Sequence, residues 1–234
     1  MSSHKIECIS LSKQYSSKNQ IVSALADINL HIDQNETMLL RGRSGAGKST
    51  LLNLMCGLIK PTSGKVLIEN KSISELSDDE LSNLLSDRIG IIFQSFNLLP
   101  TYTVFENIEI AIVPKRLKER NVKENIMSYL EKFNLKDKAT LLPSELSVGQ
   151  QQKVAIIRTL IKQPSIIFAD EPTGSVDEET AGDILNQLMN FRLEKQATLI
   201  IATHGNIPAS FADSIYTIEN GRISGHYKSK DLNN

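Results

Sequence analysis

The residues Gly42-Arg43-Ser44-Gly45-Ala46-Gly47-Lys48-Ser49 hold glycines, a lysine and a hydroxyl at the spacing of a phosphate-binding loop. Glycines let a backbone curl until successive N–H groups point at phosphate oxygens. Lys48 supplies a positive charge to the outer phosphates, and the Ser49 hydroxyl suits Mg²⁺. Thr50 follows at the start of the helix, whose positive dipole end faces the same anion. The flanks separate this reading from a glycine-rich turn that binds nothing. Thr37-Met38-Leu39-Leu40 before the loop reads as a buried strand. Leu51, Leu54, Met55 and Leu58 after it share one helix face, with Gly57 as a stop signal.

A second group with chemistry is Ile166-Ile167-Phe168-Ala169-Asp170-Glu171. Two carboxylates at the end of a buried strand are costly unless a cation or a water chain uses them. Asp170 is placed to hold Mg²⁺, and Glu171 to polarise an attacking water as general base. Taken alone, the pair also reads as a loop cap or a salt-bridge partner. A third group, Leu146-Ser147-Val148-Gly149-Gln150, opens a helix running to about Lys162. Ser147 and Gln150 have capping-box spacing, which by itself makes only a well-capped helix start. The serine hydroxyl, the Gly149 N–H and the helix dipole also make a second phosphate-binding surface. The Asn-Lys-x-Asp element that usually reads guanine is missing, since the one Asn-Lys pair, Asn70-Lys71, continues as Ser72-Ile73, so guanine specificity is not expected.

The elements that must position these groups follow from pattern. Ile89–Phe93 and Ala197–Ala202 join the runs before the phosphate loop and before Asp170 as continuous apolar segments, which suit parallel strands buried on both faces. Helical stripes such as Ala181, Ile184, Leu185 and Leu188 separate them, so the core is α/β. Lys5–Leu11, Ile28–Ile32 and Lys65–Glu69 read as strands of a small antiparallel layer, with Pro61-Thr62-Ser63-Gly64 as a turn. The middle, roughly Thr101 to Gln163, is helical, with Val122, Ile126, Tyr129, Leu130 and Phe133 as one stripe. Ser77 with Glu80 and Thr103 with Glu106 mark helix starts. The tail from Lys228 is polar and expected to fray.

Composition narrows the class. The 234 residues suffice for one large domain, and 40% hydrophobic with 23% charged is globular. The net charge of -1 gives no global basic excess, so no nucleic-acid partner is expected. Cys8 and Cys56 read as small buried side chains of a reducing compartment. His4, His31 and His226 read as surface residues. No secretory segment is visible and no apolar run approaches the ~20 residues of a bilayer span, so a membrane link needs a partner.

With the phosphate loop, Asp170-Glu171 and Leu146–Gln150 in order, followed by Gln151-Gln152-Lys153-Val154-Ala155, the chain resembles the ABC ATPase family over about Ile6 to Ile223. Val148 departs from the family signature at its first glycine, and Lys153 stands where arginine is usual. The resemblance implies an α/β, P-loop NTPase fold of the ABC ATPase type, with a parallel core sheet, an antiparallel β layer and a helical subdomain. It implies one domain over 1–234, with a nucleotide-binding core at 1–94 and 165–234 and a helical signature subdomain at 95–164. ATP and Mg²⁺ are the implied cofactors. Gln94, after its strand, resembles the glutamine that senses Mg²⁺ and the γ-phosphate. His204 resembles the switch histidine that contacts that phosphate. Pro172-Thr173-Gly174-Ser175-Val176-Asp177 resembles the loop that puts Asp177 across a dimer seam, and Tyr15 is placed like the aromatic that stacks on adenine.

The implied partners are a second copy, which closes over ATP with Ser147 and Gly149, and an integral membrane permease. The implied location is cytoplasmic, peripheral on the inner membrane face. Val148 is expected to weaken or tune closure. Phe96, Leu98 and Leu99 read equally as an apolar permease contact or as packing within the helical lobe.

Phe93–Pro100, Thr103–Ile108, Pro143–Ser147 and Ala169–Gly174 are most similar to the lipoprotein-releasing (LolD-type) and macrolide-exporting (MacB-type) branch. That branch also contains cell-division (FtsE-type) and peptide-antibiotic-resistance ATPases. Chromosome-organising relatives carry long or cysteine-bearing inserts that this chain lacks. A regulatory ATPase that acts on a cell-wall machine without transport stays open.

Overall fold

The computed structural model describes residues 4–17, 20–112, 119–205 and 207–228; the tail beyond Lys228 lies outside them. Along the chain, β1 (Ile6–Ser17), β2 (Gln20–Ile32) and β3 (Thr37–Arg41) precede α1 (Lys48–Met55). Then come β4 (Ser63–Ile68), β5 (Lys71–Ser72), α2 (Asp78–Asp87) and β6 (Ile89–Ile92). Three helices follow: α3 (Val104–Glu109), α4 (Glu119–Lys132) and α5 (Val148–Leu160). The chain returns through β7 (Ile166–Asp170), α6 (Glu178–Lys195), β8 (Thr198–Thr203), β9 (Ser214–Glu219) and β10 (Arg222–Lys228).

The four apolar runs become β3, β6, β7 and β8, all parallel, within a six-stranded sheet of order β10-β9-β3-β8-β7-β6. Their side chains are buried on both faces, which is why the runs do not alternate. One core cluster joins this sheet to α1 and the antiparallel layer through Met38, Leu51, Leu54, Leu25 and Phe168. The other joins the opposite face to the helices through Leu39, Ile167, Ile156, Ile184 and Leu188. The antiparallel layer is four-stranded, of order β2-β1-β4-β5. The capping boxes at Ser77, Thr103 and Ser147 are all present with reciprocal bonds.

Several sequence expectations are corrected. β1 and β2 extend well past Leu11 and begin before Ile28, because register shifts between Cys8 and Gln14 break the alternation that pattern reading relies on. β6 stops at Ile92, before Phe93. Leu58 is not on the buried face of α1: the helix ends at Met55, Gly57 turns the chain with φ +80°, and Leu58 is 44% exposed. β9 and β10 were not foreseen, although Asn220-Gly221 is the strongest short hairpin signal and both residues take the positive φ that such a turn needs. Of the three histidines expected at the surface, His226 is exposed and the other two are only partly so. His4 and His31 are half-buried with ring centroids 4.2 Å apart, and the His226 ring stacks on Tyr216 at 4.1 Å. Both cysteines are buried as expected, and burial pushes the Cys56 thiol up to about 11.

Glu69 ties the antiparallel layer to the start of β6. It accepts from Arg88 Nη1 at 2.7 Å and from Lys5 Nζ at 2.6 Å. Arg88 first, then Lys5, hold its carboxyl down to about 2, from 4.5. A depressed carboxylate contributes stability above its unfolded value and loses it as pH falls through the folded one. Glu69→Gln should therefore flatten the loss of thermal stability between about pH 4.5 and about pH 2, read by melting curves across that window.

Candidate nucleotide-binding site

The phosphate loop bridges the end of β3 and the start of α1, and it is squeezed from two sides. Gly45 and Gly47 have φ of +78° and +107°, which side chains resist. A Cβ on Gly47 would lie 2.8 Å from the Ala24 carbonyl oxygen of β2, and one on Gly42 2.5 Å from that of Ile218 in β9. Gly221 N–H donates to the Ala46 carbonyl at 3.0 Å. The loop is thus held in shape by the antiparallel layer on one side and the β9–β10 hairpin on the other.

Lys48 is buried. Its Nζ donates to the carbonyls of Gly42 (2.9 Å) and Arg43 (3.2 Å) and lies 3.4 Å from Glu171 Oε1. Glu171 follows β7, is 7% exposed, and has φ +49°, a conformation uncommon outside glycine and concentrated at functional sites. His204, one residue past β8, brings Nδ1 to 2.7 Å from the same Glu171 oxygen. One buried carboxylate thus lies between a lysine at the start of α1 and a histidine just past β8.

Asp170 closes β7. Its Oδ1 is buried with no hydrogen-bond partner. Burial pushes its carboxyl above the usual range, and the hydrogen bond with Ser49 pulls the other way. A bare buried carboxylate oxygen costs on the order of 1–3 kcal/mol. The hard oxygens of Asp170 and Ser49 fit Mg²⁺.

Ser44, Gly45, Gly47, Lys48, Ser49 and Thr50 share a cavity of about 550 Å³ with Gln94, Glu171 and His204. Arg43 and Ala46 line a neighbouring hollow beside Glu219. Tyr15 is 45% exposed on β1, with Lys13 Nζ 5.1 Å over its ring. Its partner across the strands, Val22, lines the cavity, and Tyr15 does not. Sequence reasoning missed Val22, Ser23 and Ala24, as well as Asn220 and Gly221, all in the same lining. The Asn-Gly pair was the available signal for the last two.

Ser147, Gly149, Gln150 and Asp177 line a separate hollow of about 400 Å³ with Val148 and Thr180. Ser147 Oγ accepts from Gln150 N–H at 3.3 Å, and Gln150 Oε1 accepts from Ser147 N–H at 3.0 Å. Space at Gly149 is tight: a Cβ there would meet Thr180 Cγ2 at 3.1 Å, and that methyl would have to give by a few tenths of an ångström. Asp177 caps α6, accepting from Thr180 N–H and from Thr180 Oγ1, both at 2.8 Å. Val148 takes the first helical position without strain and is 48% exposed.

The fold and this geometry match known proteins. The family model described as ABC transporter matches residues 25–174. The chain is 40% identical over 204 residues to the ABC transporter ATP-binding protein YtrE of Bacillus subtilis, covering 87% of this chain and 88% of that one. It is 34% identical over 224 residues to the lipoprotein-releasing system ATP-binding protein LolD of Saccharophagus degradans, covering 96% and 98%. Among solved structures, the dimeric post-hydrolysis state of the cassette MJ0796 bound to ADP and Pi superposes with TM-score 0.90 at 35% identity, over 95% of this chain and 98% of that one.

Asp170→Asn removes the bare buried charge. It should raise the melting temperature of the nucleotide-free protein and abolish the extra stabilisation that Mg-ATP gives over ATP alone, both read by thermal melting. With its phosphate loop, paired carboxylates and signature helix on one cassette, the chain belongs to the ABC transporter family, as its ATP-binding subunit.

Proposed function

We propose that two copies of the chain trap two ATP molecules at their shared seam and hydrolyse them to drive a membrane permease. The observation that carries this is the separation of the two phosphate-binding surfaces. The phosphate loop with Lys48, Glu171 and His204 lines one cavity, and Ser147 with Gly149 lines another, with no residue in common. Each surface is open on one side, and a second copy supplies the missing half.

In this reading Lys48 and the loop N–H groups bind the β- and γ-phosphates, and Tyr15 and Val22 hold the base. Ser49, Asp170 and Gln94 would hold Mg²⁺, which supplies charge neutralisation at the phosphates when bound. Incoming phosphate oxygens compete with Glu171 for Lys48. Released from that contact, the Glu171 carboxylate accepts a proton from water while His204, donating from Nδ1 to Oε1, orients that carboxylate. Water adds to phosphorus, the bond to the β-bridging oxygen breaks, and ADP and phosphate leave. The second copy's Ser147 hydroxyl and Gly149 N–H hold the γ-phosphate until it is cleaved, so hydrolysis opens the pair. Val148, exposed on the closing face, weakens that grip.

The permease contact falls on a groove of about 440 Å³ lined by Leu58, Ile91, Phe93, Ile110 and Ala111. Leu58 and Ile110 are exposed there at 44% and 43%. Leu98 packs on the helical core, so of the loop residues Leu99 is the more available. No helix of the described residues is long and apolar enough to cross a membrane, so the anchoring belongs to the partner. The cargo is the permease's to select; the LolD relative makes a lipidated substrate one fitting choice.

The deciding experiment is Glu171→Gln protein with Mg-ATP on size exclusion with light scattering. It should shift from one chain mass to two, with about two nucleotides per pair, and Val148→Gly in that background should lower the ATP concentration needed. A chain that stays single and empty refutes the reading. Leu58→Asp with Ile110→Asp should leave that dimer intact but lose co-purification of the permease from detergent extracts.

A further inference from the structure

Arg41 stands one residue before the phosphate loop and takes no part in the chemistry above. In-register pairing of β3 with β8 sets it opposite Thr203, the residue before His204. Alternation sends Leu39 and Ile201 into one core cluster and Leu40 and Ala202 into the other, so Arg41 and Thr203 share the Leu39 face. Helix α1 packs on the opposite face through Leu51 and Leu54. Arg41 therefore lies beneath the loop that follows β8.

Its guanidinium donates through Nη2 to the carbonyl oxygen of Ile207, while Nε is buried with no hydrogen-bond partner. Desolvating a guanidinium for one backbone carbonyl does less for the fold than an aliphatic side chain of the same length. What the contact achieves is a tether. On the near side of the same loop, the Thr203 hydroxyl accepts from Gly205 N–H at 2.9 Å. On the far side, the Ile207 side chain is buried in the core at 4% exposure. His204 lies between these two anchors. Its side chain is 54% exposed and meets Glu171 only through Nδ1 at 2.7 Å, so its position depends on its backbone.

We propose that Arg41 is a positioning residue for hydrolysis: by holding the Ile207 carbonyl it fixes the loop that presents His204 to Glu171. This rests on the hydrolytic reading of Glu171 and His204 given above. Arg41 is not part of the lining of the nucleotide cavity, so its loss should leave ATP binding alone and slow the chemical step.

The test is steady-state ATP turnover by Arg41→Met, which keeps the stem and removes the donors, and by Arg41→Lys, which keeps one. Arg41→Met should lower kcat about tenfold with KM for ATP unchanged, and Arg41→Lys should recover about half of the lost rate. In a His204→Ala background Arg41→Met should cost nothing further, since both act through one ring. Wild-type turnover by Arg41→Met, a raised KM, or the same loss repeated in the His204→Ala background would each overturn the proposal. Wild-type turnover by His204→Ala alone is a different failure: it removes the hydrolytic role of His204, and the role of Arg41 with it.

Discussion

The structure depends on one constraint: the central strands are buried on both faces, so their polar chemistry can sit only where the strands end. Thr37 to Leu40, Ile166 to Ala169 and Thr198 to Thr203 are buried without a break. Side chains that carry charge are expelled from such strands to their carboxyl termini, where ligands bind in open parallel sheets. Register then decides which groups meet. Ala169 lies beside Ile201 and Asp170 beside Ala202, while Leu40 lies beside Ala202 from the other direction. Three strand ends therefore finish level: Glu171 and His204 follow β7 and β8 directly, and the phosphate loop after β3 brings Lys48 to them.

That convergence is electrostatically frugal. Asp170 and Glu171 bring two carboxylates into a half-buried site, and Lys48 is the buried cation within reach of Glu171. Glu171 is consequently well satisfied, whereas Asp170 keeps one bare oxygen. The asymmetry divides the labour between adjacent residues of the same strand end. In the proposed mechanism the carboxylate with protein partners exchanges them for water when a phosphate arrives, and the one without is left to a cation.

Much of this was legible in the sequence, and the parts that were not share a physical cause. The buried parallel strands announce themselves, because a run such as Ile166–Ala169 has one favourable environment. The capping boxes at Ser77, Thr103 and Ser147 were equally readable, since two side chains three residues apart answer each other locally. The antiparallel layer was found but cut short, since bulges in β1 spoil its period. What escaped were contacts made across the fold. Val22 reaches the cavity from a strand whose exposed residues carry no pattern, and Asn220-Gly221 supports the phosphate loop from more than 170 positions away. The gathering of His4, His31 and His226 escaped for the same reason, as each histidine looks ordinary beside its neighbours in sequence.

Helix α5 connects the two surfaces that a working pair must coordinate. Ser147 caps its amino end, beside the hollow proposed to hold the phosphate of another copy's nucleotide. Its other half is stitched to backbone carbonyls that lead to the apolar groove. Arg158 donates to Phe96 and Asn97, at 2.7 and 2.6 Å, and Thr159 to Ile91 at 3.0 Å. Lys162, just past the helix, donates to Leu85 and Ile89, each at 3.1 Å. Carbonyls held by side chains of a helix have no slack of their own, so the segment after Gln94 follows α5. Asn107 grips its far end in the same way, bonding Leu99 on both its N–H and its carbonyl. A helix of 13 residues spans about 20 Å; α5 has no proline and its one glycine, Gly149, lies in the first turn, so the stretch beyond it bends little. A displacement of its amino end by a nucleotide held on another copy would therefore arrive at the groove almost undiminished, which is what a subunit that works at a distance from its membrane partner needs.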